Sequence, residues 1–280
     1  MKLFSAKEHA PAISRSCVRR FPGTLLRIVA GLCLAVAPAF AAVHEMPSGG
    51  VNAHSLGSPA FSPLQIGFEP LLPLAFASMF YCAGGIGPSG DLNVLQLVSS
   101  DTTVVGLRLD LPIAFNETVV GLDAGIVCHA ENFWGICAGA FSAMEDGNGI
   151  LVTVFDASPR VNGIQIAGVS KVDTFRGLQV GAVPRAKEVL GIQVGLIDWA
   201  PSLTGIQIGL LNIDSLDSNP DYLREVRGIQ IGLANTTATL YGVQIGLVNS
   251  TETLHGLQLG LVNAVSSSPN RCLPLLRFSF

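Results

Sequence analysis

The chain has 280 residues, of which 49% are hydrophobic, and its 16 basic and 20 acidic residues give a net charge of −4. This length accommodates one good-sized domain. The acidic balance argues against a nucleic-acid partner, because binding nucleic acid needs a basic surface that neutralises phosphates.

Residues 1–41 are typical of a secretory signal peptide. Six basic residues and one acid precede the apolar run "IVAGLCLAVA". Ala39-Phe40-Ala41 after the run is a small-x-small cleavage site. The run is too short to span a membrane. Cys33 would suit a lipoprotein signal, but Leu32 before it is larger than that site normally accepts. Cleavage would export a chain with 10 basic and 19 acidic residues, a net charge of −9.

Residues 42–91 precede the repeats. Their first part, "HEMPSGGVNAHSLGSP", is typical of a flexible lead, and "SPLQIGFEPLLPLAFASMF" predicts an ordered cap or an extra pair of strands. Either element would suit more than one kind of repeat architecture.

Residues 92–280 are predicted to form one β-repeat domain with a period of 14 residues. Twelve units run from Gly106 to the last residue, with a nine-residue insert inside "IDSLDSNPDYLRE". A fixed period of this kind is the signature of a repeat architecture. The most regular units start at Gly163, Gly177, Gly191, Gly205, Gly228, Gly242 and Gly256, and their glutamines are Gln165, Gln179, Gln193, Gln207, Gln230, Gln244 and Gln258.

Within a unit, counted from its first glycine, positions 2, 4 and 6 are aliphatic, whereas positions 1, 3 and 5 read Gly, Gln, Gly. This alternation predicts a strand with two unlike faces, about ten residues long and followed by a polar turn. The Gln side chains can form a ladder between neighbouring strands, since each amide both donates and accepts.

The repeats predict an all-β fold, and two architectures suit them. An up-and-down antiparallel β-barrel of about 12 (12–14) strands is favoured, because ten residues cross a bilayer and the aliphatic face would meet lipid. The chain also ends on an alternating strand with an aromatic, "LLRFSF". A β-solenoid is the alternative, but four turn residues cannot retrace a ten-residue strand unless that strand breaks at a glycine.

The ordered combination "VVGLRLDL", "VVGLDAG" and the serial "GIQIGLLN" phrases resembles bacterial surface-repeat proteins of the leptospiral type over about residues 92–280. The resemblance implies an exported surface or outer-membrane protein and supplies no catalytic residue. The units at Gly135 and Gly149 depart from the pattern because they lack Gln.

Few residues suggest chemistry. Arg108 and Asp123 share position 3 of adjacent units, with Asp110 close by, and form either a buried ion pair that fixes register or a charged pore constriction. The mature histidines have no metal or triad spacing. The four cysteines Cys82, Cys128, Cys137 and Cys272 match no zinc pattern, and their disulfide connectivity stays open, although different strand faces argue against pairing Cys128 with Cys137.

The sequence therefore predicts a non-enzymatic protein of the bacterial outer membrane or cell surface, with a structural or passive-pore role and no cofactor or metal. A lipid bilayer is the expected partner, nucleic acid is excluded, and a protein or glycan partner is left open. One alternative is a surface-attached β-solenoid that binds a partner through its repeated face. Another is an outer-membrane hydrolase, which would need a Ser–His contact in the barrel lumen.

Overall fold

In the computed structural model, the described residues are 51–55, 60–68, 92–214, 224–270 and 272–279, and all their regular structure is β-strand. The predicted signal peptide at residues 1–41 and Cys82 lie outside these ranges. No helix in the described part of the chain could cross a membrane. The all-β prediction is confirmed.

The strands form one sheet system that winds around the molecule. The β4 span is a run of β-structure that contains several successive units and therefore turns several times. The eleven strands are β1 (Val51–Ser55), β2 (Phe61–Phe68), β3 (Leu92–Gln96), β4 (Thr103–Val194), β5 (Ile197–Trp199), β6 (Ser202–Ile208), β7 (Leu211–Ile213), β8 (Glu225–Ile231), β9 (Ala234–Ile245), β10 (Val248–Val265) and β11 (Cys272–Ser279).

Equivalent positions of successive units pair in parallel. Gly191 pairs with Gly205, Gly205 with Gly228, and Gly228 with Gly242. Each unit is therefore one coil of a β-solenoid, the predicted alternative. The prediction of an antiparallel barrel was wrong, because neighbours in an up-and-down barrel run in opposite directions.

The barrel prediction was wrong because it assumed one continuous strand of ten residues in each unit. The extended run breaks at the glycine in position 5, as at Gly209 between β6 and β7 and at Gly232 between β8 and β9. The broken corner is still bonded to the next coil, since the Gly209 N–H donates to the Ile231 carbonyl at 2.9 Å. Two short walls thus replace the ten-residue strand, and the chain can return within 14 residues.

The first glycine of each coil occupies a conformation closed to other residues. All eleven first glycines from Gly106 to Gly256 have φ between 127° and 150°. The coils also approach closely there, because a Cβ on Gly242 would lie 2.0 Å from the carbonyl oxygen of Gly228. Glycine is therefore required at this position by both conformation and contact.

Positions 3, 8, 10 and 13 point into the coil. Positions 10 and 13 supply most of the apolar core, which includes Phe133, Phe175, Leu203 and Leu240. Positions 3 and 8 are largely polar and just as buried, with Gln207 and Asn212 both 0% exposed. Half of the interior is thus apolar packing and half is a buried polar column.

The two ends of the stack differ from its middle. At the amino-terminal end, β2 from the predicted cap segment pairs in parallel with the start of β4, and Gln65 is aligned with Arg108. At the other end, β11 pairs antiparallel with β10. The predicted twelfth unit is therefore a reversed strand, while the described coils that start at a glycine number eleven.

The nine-residue insert does not disturb the stack. Coil pairing passes directly from Thr204 to Arg227 and from Gly205 to Gly228. Most of the insert lies outside the described residues.

Candidate functional site

The glutamines at position 3 form a continuous ladder inside the solenoid. Each Nε2 donates to the Oε1 of the preceding coil at 2.7–2.8 Å, from Gln258 through Gln244, Gln230, Gln207, Gln193 and Gln179 to Gln165. The ladder crosses the 23-residue step between Gln207 and Gln230 without interruption. The structure thus brings together all seven glutamines that the sequence singled out, in a structural role.

A second ladder of asparagines runs along the opposite wall at position 8. Asn212 donates to Asn235, Asn235 to Asn249, and Asn249 to Asn263 at 2.6–2.8 Å. The other Nδ2 hydrogen of Asn235 reaches the Ile245 carbonyl at 3.0 Å. These asparagines were not among the residues singled out from the sequence, although they repeat with the same steps as the glutamines, 14 residues and once 23.

In the first coils a charged cluster replaces the glutamine column. Arg108 and Asp123 are both buried, and Arg108 donates through Nε at 2.9 Å and Nη2 at 2.5 Å to the two Asp123 carboxylate oxygens. Asp110 lies 3.5 Å from the Arg108 Nε. Of the two predicted roles, the geometry matches the buried ion pair. A pore constriction has no place in an interior filled by side chains.

Cys128 and Cys137 lie close together, contrary to the sequence argument from strand faces. Cys137 is at position 3 and Cys128 at position 8, and these positions belong to opposite walls that both point inward. Their sulfur atoms and an oxygen of Asp123 lie within 4.8 Å of one another. Cys128 and Cys137 are both free thiols, and Cys272 is exposed.

Two histidines, His129 and His255, take part in ring contacts. His129 packs edge-on against Phe115, and burial followed by the charge of Arg108 lowers its pKa. His255 stacks on Tyr241 with ring centroids 4.7 Å apart. Neither belongs to the one group of metal-ligating side chains found in the described ranges.

The outer surface of one wall and of the corner that ends it is an aliphatic face, formed by positions 2 and 4 on the wall and position 6 at the corner of the eleven coils from Gly106 to Gly256. Every side chain in these three columns is apolar or is absent, as at Gly168. Many are large and at least 36% exposed, including Ile164, Ile166, Ile208, Leu210, Ile229, Ile231, Leu233, Ile245, Leu247 and Leu261. At about 4.8 Å per coil and 3.3 Å per residue, the face measures roughly 50 by 13 Å, on the order of 700 Å². The largest apolar patch of an ordinary monomer is about 300–600 Å².

The column at position 14 borders the aliphatic face and has an amphipathic composition. It contains Trp134, which is 57% exposed, together with Tyr241, Arg176 and Arg227, and it has no acid in any coil. From Gly121 onward, the surface acids among the described residues all lie at positions 11 and 12, beyond this column. Negative charge is thus kept away from the aliphatic face.

The chain matched no protein-family model, no curated protein and no solved structure. The resemblance to surface-repeat proteins therefore stays a prediction, and the function has to be argued from the solenoid itself.

Proposed function

We propose that this protein is a non-enzymatic binding module that lies on a lipid bilayer through the aliphatic face of its solenoid. The observation that carries the proposal is the continuous column structure of that face, in which no polar side chain interrupts positions 2, 4 and 6. Exposed apolar surfaces of this size mark interaction sites in soluble proteins.

The chemistry of the face favours lipid over a protein partner. Protein interfaces are enriched in aromatic residues, methionine and arginine, and carry about ten hydrogen bonds. The aliphatic face has only aliphatic side chains and glycine, and it repeats at every coil. Sliding a partner along the solenoid by one coil would present the same columns again. A fluid layer of lipid acyl chains needs no fixed alignment with the coils, so it suits a surface that repeats at every coil.

The bordering column supports an orientation in which the wall lies flat on the bilayer. Tryptophan and tyrosine prefer the interface between headgroups and acyl chains, and Trp134 and Tyr241 stand next to the aliphatic face. Arg176 in the same column would meet headgroup phosphates. Arg227 is paired with Glu225 at position 12 and stays on the water side with the other surface acids.

The proposal retains the predicted bilayer partner and the predicted exported location, and replaces spanning by surface attachment. The passive-pore role depended on a barrel and is withdrawn with it. The proposal requires no catalytic residue.

Vesicle flotation tests the proposal. The triple variant Ile208→Ser, Ile231→Ser and Ile245→Ser removes three stacked position-4 side chains that are 39–40% exposed. Burying the exposed part of each isoleucine contributes about 1–2 kcal/mol, so binding to vesicles of phosphatidylcholine and phosphatidylglycerol should weaken by more than about tenfold. Unchanged far-UV circular dichroism would show that the solenoid remains folded.

A matched control changes the polar side of the same coils. Thr239→Ala, Ser250→Ala and Thr253→Ala lie at positions 9 and 12, outside the aliphatic face and its bordering column, and should leave vesicle binding unchanged. Wild-type protein that fails to float, or a triple variant that floats as well as wild type, would overturn the proposal. Vesicle-independent self-association that the triple variant abolishes would instead identify a second copy of the chain as the partner.

A further inference from the structure

The interior of the second and third coils contains a set of side chains that the lipid-binding proposal does not use. Asp123, Cys128 and Cys137 are buried, and their ligand atoms lie within 4.8 Å of one another. They come from both walls of the solenoid. A Cβ on Gly139 would lie 2.8 Å from the Cys128 sulfur, so this sulfur fits only because residue 139 has no side chain.

A second carboxylate, that of Asp110, stands next to these three residues, and no N–H or O–H donor of the described residues reaches it. Asp110 is 0% exposed, and neither of its carboxylate oxygens makes a hydrogen bond. Its carboxyl group lies beside that of Asp123, close enough for the two to share a proton when no metal is bound. The nearest positive charge among the described residues is that of Arg108, whose Nε is 3.5 Å away. The hydrogen on this Nε is already donated to Asp123. A buried carboxylate with no hydrogen bond is expensive unless a cation or a proton compensates it.

We propose that Asp123, Cys128 and Cys137 bind one zinc ion inside the solenoid, with Asp110 as the fourth ligand. Thiolates and carboxylates are both zinc ligands, and structural zinc is tetrahedral with Zn–S bonds of about 2.3 Å and Zn–O bonds of about 2.0–2.2 Å. Ligand atoms of such a site are up to about 4 Å apart, so the separations among the ligand atoms of Asp123, Cys128 and Cys137 need to close by no more than about 1 Å. The Asp110 side chain would move toward these three to complete the site.

Charge and geometry are consistent with a structural ion. Zinc binding would release the two thiol protons to solvent. The positive charges of the ion and of Arg108 would then balance the two thiolates and two carboxylates, with one negative charge left over. Arg108 would hold Asp123 in place, because each carboxylate oxygen keeps a lone pair free for the metal while accepting from the guanidinium. The ion would join the opposite walls where the glutamine ladder is missing.

The first test is the metal content of the full chain purified after growth with added zinc. We expect about one zinc per chain by mass spectrometry of the metal, and a loss of at least about tenfold in Cys128→Ser and Cys137→Ser. Cys272→Ser is the matched control, since Cys272 is exposed on β11 and should leave the zinc content unchanged. Cobalt in place of zinc should give a sulfur-to-cobalt charge-transfer band that both inner variants lack.

A second measurement keeps the proposal testable if the inner variants do not fold. In the wild-type protein, a chelator should increase alkylation of Cys128 and Cys137 more than about tenfold without increasing that of Cys272. Absence of zinc together with absence of a cobalt–thiolate band would overturn the proposal. So would alkylation at Cys128 and Cys137 that depends on a reductant and not on a chelator, since that result identifies a disulfide.

Discussion

Asp198 interrupts the start of the asparagine ladder, and replacing it with asparagine should stabilise the protein. It occupies position 8 of its coil, one coil before Asn212, and is buried. Its carboxylate oxygens have no well-formed hydrogen bond, and the Asn212 Oδ1 that faces the same space above Gly209 also lacks a donor. An amide in place of the carboxylate would supply that donor, as Asn212 does for Asn235 at 2.6 Å.

The size of the effect follows from the pKa of Asp198. Burial raises this pKa from 3.8 to about 8, against weak compensation from the Gly195 backbone N–H. Between pH 4 and pH 8 the Asp198 carboxyl is ionised in the unfolded chain but still protonated in the folded protein. The free energy of unfolding therefore falls as pH rises through this range, by up to about 5 kcal/mol. Below pH 4 both states are protonated and this contribution to stability is fully present.

Urea unfolding followed by circular dichroism at pH 4.5, 6 and 8 tests this reasoning. Asp198→Asn should exceed wild type by about 3–5 kcal/mol at pH 8 and by less than about 1 kcal/mol at pH 4.5. Asp156 and Asp214, whose pKa values burial raises to about 6, give both proteins a common pH dependence that the comparison removes. Asp173→Asn is the control, because Asp173 is half-exposed and paired with Lys187 at 2.7 Å. Equal pH slopes in wild type and Asp198→Asn would refute the argument.

Three further substitutions test the packing of the coils. Gly242→Ala should unfold the protein or cost more than about 4 kcal/mol in urea titration, because φ is 145° and the new Cβ would meet the Gly228 carbonyl. Gly147→Ala should cost less than about 1 kcal/mol, since its Cβ would meet no atom closer than 3.4 Å, and equal losses would contradict this account. Gln230→Leu should cost about 2–5 kcal/mol by leaving one donor and one acceptor of the ladder unpaired, and a thermal melt unchanged from wild type would count against a stabilising ladder.

The sequence predicted the repeat and its two faces but not the direction of neighbouring strands. Period-two alternation gives the burial of Gln207 and the exposure of Ile208 in either architecture. The parallel arrangement depends on a break at the second glycine, and Gly209 reads equally well as a small residue inside a strand. The break is determined by contacts between stacked coils at that corner, and the sequence of a single unit does not contain this information.

The cluster in the first coils shows a second limit of sequence reasoning. Arg108 and Asp123 could be paired from the sequence because both occupy position 3 of adjacent units. Cys128 and Cys137 were separated by the same reasoning, since positions 8 and 3 fall on opposite faces of one continuous strand. Once the chain turns the corner between them, both faces point to the same interior, and the two thiols meet.

The two ladders explain why the outside of the solenoid can be aliphatic. Both ladders are satisfied only when each coil aligns with its neighbour at the same position, because a shift by one residue would replace Gln230 by an aliphatic and leave its partners unpaired. The polar interior thus fixes the register of the coils, a task that buried polar networks perform elsewhere. The outer columns at positions 2, 4 and 6 are then free of any structural requirement to be polar or buried. Their uniform aliphatic composition is therefore consistent with the proposed attachment to a lipid surface, which is apolar and has no register.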